Sequence, residues 1–190
     1  MPNSLAVTIR PPRWEDFDEL REIYFHLYDE RAAGAPIGIT LFDERPTPAD
    51  ETVWFQTHYR RALEGQEIWL VAERDGHAVG NCTIVPVVAG PPSEQSHVGE
   101  LGILVHHGYR GTGVGTALLE RALAVARSRF ELVLLSVFTV NEGALRLYRR
   151  FGFTVSGHLP KVVKRGEQYF DEERMVLDFS TTPLRPEANR

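Results

Sequence analysis

The most informative stretch of the chain is GILVHHGYRGTGVGTALL, residues 102–119. It begins with an apolar run that ends at Val105, passes through a short loop with three alternating glycines, and continues into apolar residues at helical spacing. Glycines let a backbone approach a ligand closely, and the first N–H groups of a helix are unpaired and carry partial positive charge. The stretch therefore predicts a strand-to-helix turn that binds an anion, with Arg110 adding a full positive charge.

The turn does not match two familiar phosphate-binding loops. A Walker A loop needs a Gly-Lys-Ser/Thr sequence, and this stretch contains no lysine. The dinucleotide fingerprint needs a third glycine where Thr116 stands, and it also needs an early strand and a later acidic ribose partner. A nucleotide-binding module is therefore disfavoured. From the glycines alone, a turn without any ligand remains the alternative.

Three segments resemble one family. RGTGVG, residues 110–115, is similar to the Arg/Gln-x-x-Gly-x-Gly/Ala signature of the GNAT superfamily of acetyl-CoA-dependent N-acetyltransferases. NEGALRLYRRFGF, residues 141–153, resembles the second motif of that superfamily, Asn-x-x-Ala-x-x-Leu-Tyr-x-x-x-Gly-Phe. GEQYFDEERMVL, residues 166–177, resembles the last two strands of bacterial members that acetylate amino acids or other small amines.

The resemblance implies that acetyl-CoA is the cosubstrate and that no metal takes part. It also implies two central parallel strands, near 97–105 and 132–140, which splay apart to admit the pantetheine arm, while the pyrophosphate lies on the amides of the turn. The residues implied for acetyl-CoA binding are Ile103, Leu104, Val105, Arg110, Gly111, Thr112, Gly113, Val114, Gly115, Thr116, Asn141 and Tyr148.

Asn141 and Tyr148 belong to one predicted helix. Asn141 is a good N-cap residue, and seven positions at 100° each bring Tyr148 to within about 20° of its direction, two turns along. The resemblance implies that Asn141 contacts the cofactor arm and that Tyr148 protonates the departing thiolate, a role that a phenol can fill. The residues alone favour a simple cap and a half-buried core aromatic.

Glu100 is the candidate general base. Strand alternation places it on one face of residues 97–105, within an apolar central strand where a carboxylate is costly unless it is paired or functional. An ammonium acceptor must lose a proton before its nitrogen attacks, and several members of the resembled family use an acidic residue in this strand for that step. A salt bridge to an arginine, or a position at the rim of a cleft, is the alternative.

Other polar residues point less clearly to chemistry. Cys82 lies in a predicted strand, 78–85, and we interpret it as a small buried side chain rather than a nucleophile. His106 and His107 are adjacent, so their side chains diverge, and the spacing suggests no third metal ligand. We interpret both as loop residues.

The remaining pattern predicts an α/β (α+β) fold with a mixed, mostly antiparallel sheet of about six or seven strands, a parallel splayed central pair and about four flanking helices. Helices are predicted at 14–30, 48–65, 113–130 and 141–151. Strands are predicted at 6–10, 68–72, 78–85, 97–105, 132–140, 153–157 and 173–179.

Composition indicates one domain, residues 1–180, followed by a flexible tail at 181–190. Of the 190 residues, 43% are hydrophobic, and the single cysteine excludes an internal disulfide. No apolar window reaches the roughly 20 residues that cross a bilayer, so we expect a soluble cytoplasmic protein without membrane or nucleic-acid partners. The net charge of −5 hides a split: residues 1–95 carry 8 basic and 16 acidic side chains, and residues 96–190 carry 13 and 10.

The sequence therefore predicts an N-acetyltransferase that moves an acetyl group from acetyl-CoA to a primary amine by direct attack in a ternary complex. The acceptor is expected to be a small-molecule amine or a protein N-terminus, and the resemblance implies a homodimer. The alternative is a non-catalytic acyl-CoA-binding sensor, or pseudoenzyme, on the same fold.

Overall fold

The described residues of the computed structural model, 6–35 and 37–181, form seven strands and four α-helices. The strands are β1 (Thr8–Arg10), β2 (Ile68–Arg74), β3 (His77–Pro86), β4 (Val98–Val105), β5 (Leu132–Phe138), β6 (Thr154–Arg165) and β7 (Gln168–Asp178). The helices are α1 (Phe17–Ala32), α2 (Pro48–Leu63), α3 (Val114–Ala126) and α4 (Glu142–Arg150). Two 3₁₀ turns, Trp14–Asp16 and His107–Tyr109, precede α1 and the turn before α3.

The seven strands of the described chain make one sheet in the order β1-β2-β3-β4-β5-β7-β6. Every neighbouring pair is antiparallel except β4 and β5, which are parallel. The connection between these two strands contains α3, as a parallel crossover requires. The predicted fold class, a mostly antiparallel mixed sheet with one central parallel pair, is confirmed.

The central parallel pair opens along its length. β4 and β5 are in register only at Val98 with Leu132, Gly99 with Val133, and Glu100 with Leu134. Beyond Glu100, β4 continues to pair with β3 on one side only, and β5 continues to pair with β7. The inner edges of both strands are therefore left without a partner strand from that point onward, which is the predicted splay.

The two faces of the sheet are covered by different helices. Leu118, Leu119 and Leu123 of α3 are fully buried against a face to which Val133 and Leu177 also belong. On the other face, α1 and α2 cover β2 and β3 through a smaller cluster, Leu20, Ile23, Phe55, Trp69, Val71 and Ala78. Truncating one such core leucine to alanine costs about 2–5 kcal/mol, so α3 is firmly held behind the turn that precedes it.

Local sequence signals explain several boundaries. The Thr47 hydroxyl accepts from the Asp50 amide, the Asp50 carboxylate accepts from the Thr47 amide, and Pro48 occupies the first helical position of α2. Such a capping box satisfies N–H groups that the helix itself leaves unpaired. A tight turn at Asp75–Gly76, a residue pair typical of hairpins, joins β2 to β3, with both residues at positive φ.

The last hairpin differs most from the prediction. β6 and β7 run through Thr154–Arg165 and Gln168–Asp178, whereas only 153–157 and 173–179 were expected. β6 is an edge strand and is mostly exposed, so it lacks the apolar pattern that predicts a strand. Its pairing is shifted between Leu159 and Val163, next to Pro160, as is common at sheet edges.

Smaller corrections concern ends of elements. The helix predicted at 113–130 stops at Ala126, and the one predicted at 14–30 begins as a 3₁₀ turn before α1. Apart from Thr181, the predicted tail lies outside the described residues, and the single domain 1–180 stays a prediction. Among the described helices, none combines the length and the apolar character needed to cross a membrane.

Candidate active site

The glycine turn joins β4 to α3 as predicted. Gly111 and Gly113 have φ values of +74° and +94°, a region that favours glycine, and Gly113 is the N-cap of α3. A Cβ atom built on either glycine would meet nothing within 4 Å, so this side of the turn is open. The backbone is therefore accessible to a ligand at the start of α3.

Several backbone amides of the turn have no acceptor. Within the described chain, the N–H groups of Gly111, Gly113, Val114, Gly115 and Thr116 donate no hydrogen bond, and the first helical bond of α3 runs from Ala117 to Gly113. Consecutive free amides at a helix N-terminus form a site for a phosphate group. This arrangement fits the pyrophosphate expected from the sequence.

The Arg110 side chain corrects one expectation. Its Nη1 lies 3.0 and 3.1 Å from the two carboxylate oxygens of Glu30 in α1, and its Nε donates to the carbonyl of Val105 over 3.1 Å. The positive charge of Arg110 is therefore balanced by Glu30 instead of standing free at the turn. No sequence signal indicated this contact, because the two residues are 80 positions apart.

A second cation reaches the same turn from α4. Nη2 of Arg150 lies 3.4 Å from Oγ1 of Thr116, in the first turn of α3. The sequence motif that contains Arg150 suggested no role for it. Its guanidinium brings positive charge to the free amides, where an anionic ligand would bind.

Glu100 occupies the point where β4 and β5 separate. It is the last β4 residue in register with β5, at Leu134, and it is exposed rather than buried within an apolar strand. The described residues include no ion pair of Glu100 with an arginine. The expectation of a buried carboxylate is therefore wrong, because the opening of the strand pair exposes this position, and the role of Glu100 as a general base stays a prediction.

The residues that follow Glu100 line the opening. Ile103, Leu104 and Val105 are half-buried, and their backbone on the β5 side has no partner strand. Ile103 and Val105 pack towards α3, whereas Leu104 packs towards α1 and α2. Glu100 shares its face with Leu104, so the predicted alternation along this strand is correct.

Asn141 caps α4 as predicted. Its Oδ1 accepts a hydrogen bond from the amide of Ala144 over 3.2 Å. Its side chain also packs against Gly38, in the connection between α1 and α2: a Cβ built on Gly38 would lie 2.7 Å from the Asn141 Cβ and 2.9 Å from its Cγ. Asn141 is thus a cap and also a contact between α4 and the connection that precedes α2.

Tyr148 lies on α4, beneath the sheet face opposite Glu100. Its side chain is buried in the core cluster that contains α3, with its ring centroid 5.8 Å from that of Phe153. Burial, with a smaller contribution from Cys82, raises the pKa of the Tyr148 phenol. Because its pKa is raised, the phenol stays protonated at neutral pH. Its hydroxyl has no hydrogen-bond partner in the described chain, so its proton is available for donation.

The remaining candidates from the sequence are Cys82 and the adjacent histidines His106 and His107. Cys82 is fully buried, and burial raises the pKa of its thiol to about 12, which confirms the interpretation as a buried side chain. The fold places two further metal-ligand types, His26 and Glu30 of α1, next to His107, which the sequence spacing did not suggest. The potential ligand atoms of the three side chains lie within 4.8 Å of one another. However, the His26 and His107 rings are stacked 4.0 Å apart and Glu30 holds Arg110, so a cation would require all three to reorient.

The combination of a free-amide turn, a splayed parallel pair and an N-capped helix with a buried tyrosine agrees with the family that the sequence resembles. A profile of the acetyltransferase (GNAT) family matches residues 14–153, a range that contains all of these features. The chain belongs to this family. It is accordingly an acyltransferase, and acetyl-CoA is its acetyl donor.

Bacterial N-acetyltransferases are similar to this chain. L-amino acid N-acetyltransferase AaaT of Escherichia coli K12 is 34% identical over 109 residues, which cover 56% of this chain and 65% of that protein, just under two thirds of its length. Phosphinothricin N-acetyltransferase of Streptomyces coelicolor is 29% identical over 182 residues, or 90% of this chain and 95% of that one.

A solved structure shares the fold over nearly the whole chain. It is that of yncA, a putative acetyltransferase from Salmonella typhimurium with its cofactor acetyl-CoA. The TM-score is 0.76 at 23% identity, and the match covers 97% of this chain and 99% of that one. This similarity shows that the two chains share their fold.

Proposed function

We propose that this chain acetylates the primary amine of a small amino-acid-like molecule by direct transfer from acetyl-CoA in a ternary complex. The observation that supports this most is the run of free amides at the start of α3, beside the opening between β4 and β5. The first feature suits a pyrophosphate and the second suits an extended acyl-bearing arm. Together they leave the thioester near Glu100.

Donor binding follows from the backbone more than from side chains. The pyrophosphate accepts from the free amides of the turn, those of Gly111 and of Gly113 to Thr116, while Arg110 and Thr112 shape the turn and Arg150 adds charge. The pantetheine amides pair with the free β4 edge at Ile103, Leu104 and Val105, in the way that a strand would. Asn141 contacts the arm from the N-terminus of α4.

The two candidate catalytic residues approach the opening from opposite faces of the sheet. Glu100, directly or through a water molecule, takes a proton from the acceptor ammonium, and the neutral nitrogen then attacks the thioester carbonyl. A C–N bond forms, the C–S bond breaks, and Tyr148 gives its proton to the departing thiolate. The nitrogen loses its second proton to solvent as the amide forms, and solvent returns a proton to the Tyr148 phenolate. Positioning and charge stabilisation supply most of the rate, since no covalent enzyme intermediate is needed.

The acceptor class rests on the relatives and on charge. The relatives named above act on an L-amino acid and on phosphinothricin, which are both small amines. The acidic first half of the chain, with 8 basic and 16 acidic residues, suits a cationic amine. A homodimer and a cytoplasmic location remain predictions from the sequence.

Thermal-shift and CoA-release measurements test the proposal. Acetyl-CoA is expected to raise the melting temperature, and a panel of L-amino acids, phosphinothricin and spermidine is expected to include an amine that triggers CoA release. Binding without release by any amine would favour the sensor alternative. Failure of acetyl-CoA to stabilise the chain would contradict the assigned donor site.

A further inference from the structure

The connection between α1 and α2, residues 33–47, is held in place by two arginines. Nη1 of Arg165 donates to the carbonyl of Ile37 over 2.8 Å, and its Nη2 donates to the carbonyl of Ile39 over 2.6 Å. Arg31 of α1 donates in the same way to the carbonyls of Phe42 and Asp43, over 2.8 and 2.7 Å. The described residues of this connection, 33–35 and 37–47, form no helix or strand, and the arginines add side-chain hydrogen bonds to the few main-chain ones at its start.

Arg165 reaches this connection from the far end of β6. Its guanidinium carbon lies 5.3 Å from the ring centroid of Phe138 and 5.1 Å from that of Phe170, two rings that are themselves stacked. No carboxylate of the described chain pairs with Arg165. Its donors are therefore directed to main-chain carbonyls and its charge to aromatic faces, an arrangement that the fixed fork of a planar guanidinium suits better than an ammonium does.

The anchored segment lies against the candidate site. Gly38, between the two carbonyls that Arg165 holds, is the residue that packs on the Asn141 side chain. Phe138 belongs to the same sheet face as Glu100, because Val133, Leu135 and Val137 point to the α3 face and the residues between them to the other. The segment therefore stands at the face from which an amine would reach Glu100.

We propose that Arg165 is a positioning residue for the acceptor: it fastens residues 37–39 onto Asn141 and so forms one wall of the amine site. This inference rests on the proposed function. It links the β6–β7 hairpin, α4 and the α1–α2 connection, three parts of the chain that are remote in sequence. Loss of the anchor should weaken acceptor binding and leave the free-amide turn for acetyl-CoA intact.

Steady-state kinetics of matched variants test this role, with the best amine of the panel as the acceptor. Arg165→Ala is expected to raise the KM for the amine about tenfold, the effect of losing charge-assisted hydrogen bonds, while the KM for acetyl-CoA changes less than about twofold. Arg165→Lys should be intermediate, because an ammonium lacks the planar fork. The adjacent, exposed Lys164, which lies over Tyr169, provides the control Lys164→Ala, with no change expected.

Two further measurements separate positioning from a general loss of structure. Hydrogen exchange of residues 37–43 should be faster in Arg165→Ala, with α3 unaffected. Gly38→Ala, whose new Cβ meets Asn141, should raise the amine KM without removing the anchor. An unchanged amine KM in an active Arg165→Ala enzyme would overturn this inference alone. No CoA release with any amine would overturn the proposed function as well.

Discussion

The Tyr148 side chain is largely buried, and its hydroxyl makes no hydrogen bond within the described chain, so replacing it tests chemistry with little structural cost. Tyr148→Phe keeps the ring against Phe153 and removes only the proton donor. We expect kcat to fall about 10²- to 10⁴-fold, with the KM for acetyl-CoA and the urea midpoint nearly unchanged. CoA release and urea unfolding measure the two effects, and an unaltered kcat would remove Tyr148 from the mechanism.

The proposed role of Glu100 predicts a dependence on pH. A general base is needed only while the acceptor is an ammonium ion, and it is not needed once the amine is neutral. In Glu100→Gln, kcat/KM for the amine should fall about 10²-fold near neutral pH. The deficit should shrink as the pH rises past the pKa of the amine, since the free base then predominates without help. The control is Glu142→Gln, at an exposed carboxylate that pairs with Arg146 on α4. A deficit that stays constant with pH would argue against a base.

Among the elements, the start of α3 links backbone conformation to ligand binding, because Gly113 has a positive φ beside the free amides. Gly113→Ala places a side chain at φ +94°, which costs about 1–3 kcal/mol and shifts the free amides. We therefore expect acetyl-CoA to bind about tenfold more weakly, by calorimetry. Gly65→Ala, at φ +68° after α2 and also with open space around it, is the matched control. If Gly65→Ala weakens acetyl-CoA binding as much as Gly113→Ala does, backbone strain in general is responsible, and not the displacement of the free amides.

Elements also show where prediction from the sequence was limited. The start of α2 at Pro48 and the Asn141 cap of α4 agree with the prediction, because such helix starts depend on contacts between residues about three positions apart. The β6–β7 hairpin was predicted too short, because an exposed edge strand does not need apolar alternation. Its added length is what brings Arg165 to the α1–α2 connection.

For the whole molecule, two groups that are buried in their protonated form, Cys82 and Tyr148, should lower the free energy of unfolding at alkaline pH. Burial raises the pKa of Cys82 from 9.0 to about 12 and raises that of Tyr148, so both groups ionise more readily in the unfolded chain. The unfolded state then binds fewer protons, and the free energy of unfolding should fall as the pH rises above about 9. Urea midpoints across this range test the slope, and Cys82→Ala should flatten it. An equal slope in the variant would contradict the assignment.

The fold family, the free-amide turn and the Asn141 cap could be predicted from sequence patterns, because these depend on residues a few positions apart: glycines that allow positive φ, and a side chain that reaches its own helix. The exposure of Glu100, the pairing of Arg110 with Glu30, and the anchor from Arg165 to Ile37 and Ile39 follow instead from how the elements pack together. These features join residues 80 or more positions apart, or follow from where two strands separate. They arise from packing, which local sequence patterns do not encode.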